Sequence, residues 1–234
     1  MAIQSSNPTD GSSKEHFEKV LARLLEILVL GKTHLKIGRA IGDTVMTDPA
    51  IAHVSPIFWG MTMTAHLDVA QLAAFKLFDK RNGTMTVEYL LKAAEQCADS
   101  FPDAKKVELL GIVSDSRAKS ATLGVHLKPL NAKRNRILAH IEPTIVRAPE
   151  KLAKDCQVKF TDLEAIFEVA GAILNNLSIG YKDTSNWLEL LHDDDFEGAI
   201  QLIADAKHAQ AEKFEREFGG TAPFPRPKRP KSPY

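Results

Sequence analysis

The chain of 234 residues has only two cysteines, Cys97 and Cys156, which lie far apart and show no CxxC spacing. This argues against a zinc site or a disulfide framework and favours two free, buried thiols in a reducing compartment. Long apolar runs are also lacking, because the longest stretches, residues 24–30 and 67–78, are short or broken by charge. We therefore expect a cytoplasmic protein with no signal peptide and no membrane contact.

A net charge is absent as well, since 30 lysines and arginines balance 30 aspartates and glutamates. The whole chain therefore has no field that would attract nucleic acid, and any basic site must be local. The acidic run at residues 193–195 follows His192, where carboxylates are typical of a helix start. His53 and His66 have no ligand spacing. We predict neither a metal site nor another cofactor.

Alternating strand patterns are missing except over residues 145–160, and helical periodicity fills most of the chain. The spacing of apolar residues predicts a long helix that begins at the capping box Ser12–Glu15 and ends near Val45. A second helix is predicted from about Ile57 to Asp79, with Ser55 as its N-cap. It is apolar almost all round, which predicts that it is the central helix of a bundle, with its Phe-Trp pair in the core.

Further helices are predicted along the rest of the chain by apolar periodicity and capping residues. They are residues 87–100 capped by Thr86, a helix from Pro102 with Val107, Leu110 and Val113 inward, residues 130–141, a helix capped at Thr161–Glu164, and residues 196–218. Residues 1–12 and the basic, Pro-rich residues 219–234 have no core pattern and are expected to be disordered. The predicted fold is an all-α helical bundle over residues 13–218.

The segment from Lys133 to His140 carries the strongest chemical signal. On a helix, Arg134 shares a face with Leu130, Ile137 and Ile141, which are apolar. Burying a guanidinium without acceptors costs several kcal/mol. Arg134 must therefore reach a carboxylate, a carbonyl, a partner subunit or a bound phosphate.

Arg134, Asn135 and His140 are residue types that suit RNA cleavage without a metal. A histidine acts as general acid or base, and an arginine neutralises phosphate oxygens. Lys133 and Arg136 add positive charge for binding the substrate. On an ideal helix, however, Arg134 and His140 point about 120° apart. Either the helix frays, the arginine's length closes the gap, or a second copy of the chain completes the site.

A structural interpretation of the same segment stays open. The sequence Arg-Asn-Arg followed by apolar residues is common on solvent-exposed helices. A lone histidine near a helix C-terminus stabilises the helix dipole.

The spacing of Arg134, Asn135 and His140 resembles the R-x4-6-H signature of the HEPN superfamily. Residues 58–91, in which Phe78-Asp79 ends a long helix ahead of a capped short one, are similar to the AbiU-type abortive-infection branch of that superfamily. The resemblance extends from residue 17 to residue 207. It implies a HEPN-type helical bundle with extra C-terminal helices, forming a homodimer whose two motifs face each other across a cleft.

Active HEPN proteins are metal-independent endoribonucleases, often toxins or phage-defence effectors. The resemblance implies that Arg134 orients and stabilises the phosphate, that Asn135 supports the site, and that His140 performs acid–base work. A dimeric site would also remove the 120° problem noted above. Glu142 stands where toxin members paired with a nucleotidyltransferase antitoxin often carry tyrosine, so that mechanism is unsupported. An antitoxin or another regulatory protein stays a candidate partner, beside RNA.

Two alternatives to a nuclease follow from the same residues. One is a non-catalytic HEPN-fold module that binds RNA, a nucleotide or a protein, because a protein can keep its fold after its catalytic activity is lost. The other is a structural dimer in which Arg134 meets an acceptor across the interface. His140→Ala abolishes cleavage in a nuclease but leaves binding intact in a non-catalytic module. Arg134→Ala weakens dimerisation in a structural dimer.

Overall fold

The protein, in a computed structural model, is all-α over the residues that the structure describes, which are 10–79, 81, 83–135, 150, 154–182, 184–186, 195–222 and 226–227. No strand occurs among them, as the periodicity predicted. The described helices are α1 (Asp10–Thr47), α2 (Pro49–Ala52), α3 (Pro56–Phe78), α4 (Val87–Ala98), α5 (Asp103–Thr122), α6 (Gly124–Lys133), α7 (Phe160–Lys182) and α8 (Asp195–Phe218).

The chain divides into two compact units, and α1 and α3 each contribute to both. The first unit comprises residues 1–32 and 70–188, and the second comprises residues 33–69 and 189–234. The predicted extent of the helical domain, residues 13–218, and the predicted disorder of the ends stay predictions, since most of the two terminal segments lies outside the described residues.

The core of the first unit contains the apolar face of α1 that the periodicity predicted. Phe17, Leu24 and Leu28 on this face are fully buried. Gly31 lies on the same face, at a point where α1 closely approaches its neighbours. A Cβ at this position would lie 2.5 Å from Cζ of Phe167 and 2.8 Å from Cβ of Ala73. The helix itself begins at Asp10, so the predicted capping box at Ser12–Glu15 is wrong: these residues lie inside the first turns.

Helices α4 and α5 pack against each other and against α7 in the first unit. Thr86 caps α4 as predicted, since its Oγ1 accepts a hydrogen bond of 3.3 Å from the backbone N–H of Tyr89. The predicted inward face of α5 is partly wrong, because Val107 is 70% exposed and Leu110 is 37% exposed. Val113 is buried as predicted, and the other buried side chains of α5 are those of Leu109 and Ser116.

Helix α7 is the main buried helix of the first unit, with Leu163, Ile166 and Phe167 among its buried residues. The predicted cap at Thr161 is wrong, because α7 already begins at Phe160. Asp162 at the third helical position performs the capping instead, and its Oδ2 accepts from the backbone N–H of Lys159 at 2.9 Å.

Helix α7 also has the length and composition of a membrane span, and among the described helices it is the one that does. A core helix passes the same test, and 56% of the 18-residue stretch that meets it is buried inside the protein.

The second unit has its own small core of Ile41, Ile51, Trp59 and Ile200. The indole Nε1–H of Trp59 donates a 3.0 Å hydrogen bond to the carbonyl of Ile51, which anchors the short helix α2 that the sequence did not predict. Phe58, expected in the core, is 54% exposed. The first turns of α3 therefore have one buried side, and the prediction of an entirely central helix is wrong for this part.

Candidate functional site

Helix α6 carries Arg134 at its C-terminal end. Leu127 and Leu130 are buried and pack the helix into the first unit, where α6 contacts α5 and α7. Beyond Lys133, Arg134 keeps helical backbone angles, and its N–H donates to the carbonyls of Leu130 and Asn131.

The guanidinium of Arg134 is held on two sides. Its carbon lies 4.5 Å from the centroid of the Phe75 ring, within the distance at which a cation is attracted to an aromatic face. Its Nη1 donates a 3.1 Å hydrogen bond to the side-chain oxygen of Asn135. That bond uses one of the five N–H donors of an arginine. Among the described residues, Arg134 is therefore oriented by two neighbours that use only one of its donors.

A second guanidinium, that of Arg81, lies on the same aromatic ring. Its carbon is 5.7 Å from the centroid of Phe75. Asp79 holds it there, because Oδ2 of this nearly buried carboxylate accepts from both Nε and Nη2 of Arg81 at 2.7 Å. Oδ1 of Asp79 also accepts from the backbone N–H of Arg81 at 3.1 Å. The turn after α3 is thus fixed by one carboxylate.

These side chains surround an open cavity of about 410 Å³, which we call the Arg134 cleft. Its lining combines apolar side chains with three cations and one carboxylate: Ile27, Leu72, Phe75, Lys76, Asp79, Arg81, Thr84, Met85 and Arg134. Three positive groups against one negative group give the cleft a local positive charge in a chain that has no net charge. Apolar walls strengthen the attraction of such groups for an anion. The cleft is therefore chemically suited to a phosphate.

A second cavity of about 540 Å³, which we call the Arg117 pocket, is also lined by residues of the turn after α3. Arg117 is part of its lining and donates four hydrogen bonds to two carboxylates. Nη1 and Nη2 donate to Glu95 at 2.5 and 2.9 Å, while Nη2 and Nε donate to Glu88 at 3.2 and 3.4 Å. The hydrogen bond with Arg117 lowers the pKa of Glu95, and that with Glu95 raises the pKa of Arg117.

The family model HEPN AbiU2, described as AbiU2, matches residues 15–202 of the chain. The chain belongs to the AbiU2 family. It is an abortive-infection-related HEPN protein, which confirms the resemblance found in the sequence, and the matched range includes both cavities. No curated protein and no solved structure matches the chain.

The structure brings two of the predicted site residues of this AbiU2-family chain together, Arg134 and Asn135. Lys133 is half-buried at the end of α6, next to them in the chain. Arg136 and His140 lie outside the described residues, so their roles stay predictions. Because His140 is among these residues, the predicted angle of about 120° between the side chains of Arg134 and His140 also stays a prediction.

Sequence reasoning did not find the other half of the cleft. Phe75 lies in the helix predicted from about Ile57 to Asp79, whose apolar pattern gives no sign of a cleft, and no role was predicted for Arg81. A signal was present, since Asp79 ends an apolar helix and Arg81 follows two residues later, a spacing that lets the two side chains pair.

The described residues form neither a metal site nor a reactive cysteine site. No group of three or more histidine, cysteine, aspartate or glutamate side chains there has the arrangement needed for a metal ion. Cys97 and Cys156 are buried, as predicted, and no disulfide joins them. Burial raises the pKa of the Cys97 thiol to about 11, which keeps it protonated and poorly nucleophilic near neutral pH.

Proposed function

We propose that this AbiU2-family chain is a metal-independent endoribonuclease that acts in the cytoplasm as a toxin or phage-defence effector. The observation that carries the proposal is the position of Arg134, which Phe75 and Asn135 hold at a cationic cleft. A guanidinium oriented before the substrate arrives stabilises developing charge on phosphate oxygens without a reorganisation cost. Membership of a HEPN family supports the same proposal.

The proposed reaction is an internal transesterification. The 2′-oxygen of a ribose attacks the adjacent phosphorus, the bond from phosphorus to the 5′-oxygen breaks, and a 2′,3′-cyclic phosphate and a 5′-hydroxyl result. His140 removes the proton of the 2′-hydroxyl or donates one to the leaving 5′-oxygen, and water performs the other proton transfer. Arg134 neutralises the phosphate oxygens, and Asn135 orients Arg134. Lys133 and Arg136 bind neighbouring phosphates.

The proposed site is completed by a second copy of the chain, with an antitoxin or regulatory protein as a further partner. Mixed dimers test the composite site. A dimer of one Arg134→Ala chain and one His140→Ala chain contains one undamaged pair if arginine and histidine come from different chains. It contains none if both come from one chain. Recovery of cleavage in the mixed dimer is expected, and two inactive homodimers that stay inactive when mixed contradict a composite site.

The catalytic proposal is tested by incubating the purified full-length chain with RNAs of varied sequence in excess EDTA. Wild type is expected to cut and to leave 2′,3′-cyclic phosphate ends. Arg134→Ala and His140→Ala should each reduce the rate by about a hundredfold or more while the protein stays folded. The matched control is Arg23→Ala, since Arg23 is exposed and pairs with Glu26 on its own helix.

Intact RNAs after incubation with the wild-type dimer would refute the nuclease. Saturable RNA binding that survives His140→Ala and weakens with salt would then support the non-catalytic module.

A further inference from the structure

The Arg117 pocket and the Arg134 cleft share one wall. Asp79, Arg81 and Thr84 line both cavities. A ligand whose phosphate lies in the cleft can therefore continue past Arg81 into the pocket. The pocket's volume of about 540 Å³ is within the range of about 300–1,000 Å³ that small-molecule sites occupy. It is large enough for a nucleoside.

The charges of the pocket do not suit a phosphate. Arg117, its central cation, is paired with both Glu88 and Glu95. A guanidinium that already donates to two carboxylates has little attraction left for a further anion. The lining holds three cations, Arg81, Lys92 and Arg117, and two carboxylates, Asp79 and Glu88, and Glu95, which pairs with Arg117, supplies a third negative charge. The pocket thus offers hydrogen-bond donors and acceptors with little net charge, as a neutral heterocycle requires.

Two carboxylates line this pocket, and Glu88 is the one that a ligand can reach, because that of Asp79 is nearly buried and holds Arg81. Its side chain is 51% exposed, yet Arg117 holds both of its oxygens by donating from Nη2 and Nε. Each carboxylate oxygen keeps lone pairs for a further donor. Phe78, Tyr89 and Leu127 add aromatic and apolar surface against which a base can pack. An oriented carboxylate beside such surface suits a base that presents two N–H donors side by side.

We infer that the Arg117 pocket binds a guanine base of the RNA whose phosphate lies in the Arg134 cleft. Guanine presents N1–H and its exocyclic amine on one edge, and both can donate to the two oxygens of Glu88. Lys92 supplies a donor for a carbonyl oxygen of the base. Adenine, cytosine and uracil lack the pair of adjacent donors. The inference rests on the proposed RNA substrate and adds its base preference.

The experiment measures binding of the full-length chain to fluorescent 2′-O-methyl RNA hexamers, which cannot be cleaved through a 2′-hydroxyl. The hexamers differ at one position, which holds guanosine, inosine or adenosine. Inosine lacks only the exocyclic amine. We expect wild type to bind the guanosine hexamer about tenfold more tightly than the other two. Glu88→Gln should reduce this preference to about twofold or less.

Glu95→Gln is the matched control, because Glu95 also pairs with Arg117 but does not line the pocket. It should keep the preference for guanosine. Equal binding of the three hexamers by wild type would overturn the inference, and so would equal loss of preference in Glu88→Gln and Glu95→Gln.

The same samples are scored for cleavage of ordinary RNA, which separates the two proposals. Guanine-selective binding without cleavage overturns the nuclease alone. Cleavage without selectivity overturns the base pocket alone.

Discussion

The guanidinium carbon of Arg134 lies 4.5 Å from the ring centroid of Phe75, and Arg81 approaches the same ring at 5.7 Å. Both distances are within the roughly 6 Å at which a ring face attracts a cation. The two guanidinium groups repel each other, and their attraction to the ring and that of Arg81 to the carboxylate of Asp79 offset this repulsion. Phe75 is only 8% exposed and cannot move easily. It therefore acts as a rigid support for both cations.

Replacing Phe75 tests this support. Phe75→Leu keeps an apolar side chain in the wall of the cleft but removes the aromatic face. A cation–π contact at a solvent-accessible position contributes about 0.5–1 kcal/mol. We therefore expect binding of an uncleavable RNA to weaken about two- to fivefold, as measured by fluorescence anisotropy.

Phe101→Leu is the matched control for that change. The ring of Phe101 also holds a cation, the ammonium of Lys14 at 4.2 Å, but it does not line the Arg134 cleft. Both variants should lose some stability, and RNA binding should weaken in Phe75→Leu alone. Equal weakening in the two variants would show that the effect is structural.

Sequence patterns predicted the features that depend on neighbours in the chain. The cap of α4 was predictable because Thr86 and the amide that it caps are three residues apart. The buried face of α1 was predictable because Phe17, Leu24 and Leu28 repeat with the helical period. The hydrogen bond between Arg134 and Asn135 also joins neighbours in the chain, but it was not predicted, since the resemblance implied only that Asn135 supports the site.

Features that depend on tertiary packing were not predictable. Phe75 and Arg134 are 59 positions apart by their numbers, and no local pattern links them. The prediction for the start of α3 was wrong for another reason. When a helix is apolar on every side, its sequence does not indicate which face is buried. Trp59 is in the core and Phe58, its neighbour, is exposed. Which of them packs inward is decided by the residues they meet, here Ile41, Ile51 and Ile200.

The pair of His34 and His66 predicts a pH-dependent stability of the second unit. Their ring centroids are 4.7 Å apart, and the Nδ1 atoms of both are buried without a hydrogen-bond partner among the described residues. Burial lowers the pKa of both histidines below the ordinary 6.5, and repulsion from His66 adds to the effect on His34. The unfolded chain therefore binds protons at a higher pH than the folded chain. The free energy of unfolding should fall as the pH decreases through 6.5 and level off below the folded-state pKa.

Urea unfolding followed by circular dichroism at pH values from 8 to 5 measures this dependence. The double variant His34→Gln/His66→Gln is the control, because it has neither titrating group. It should show a smaller loss of stability on acidification than wild type. Parallel curves for the two proteins would show that the pair does not titrate as its burial requires.

At Gly31 the packing of the first unit leaves no room for a side chain. A Cβ there would lie 2.5 Å from Cζ of the buried Phe167 and 2.8 Å from Cβ of Ala73, which is attached directly to a helix backbone and cannot turn away. Gly31→Ala should therefore cost about 1–3 kcal/mol of unfolding free energy, despite the better helix propensity of alanine. Gly42→Ala in the same helix is the control, since its Cβ would meet only the sulfur of Met63 at 3.6 Å, an ordinary contact. It should be neutral or stabilising by about 0.5–1 kcal/mol. A melting temperature of Gly31→Ala that equals or exceeds that of Gly42→Ala would contradict the close approach of the helices at Gly31.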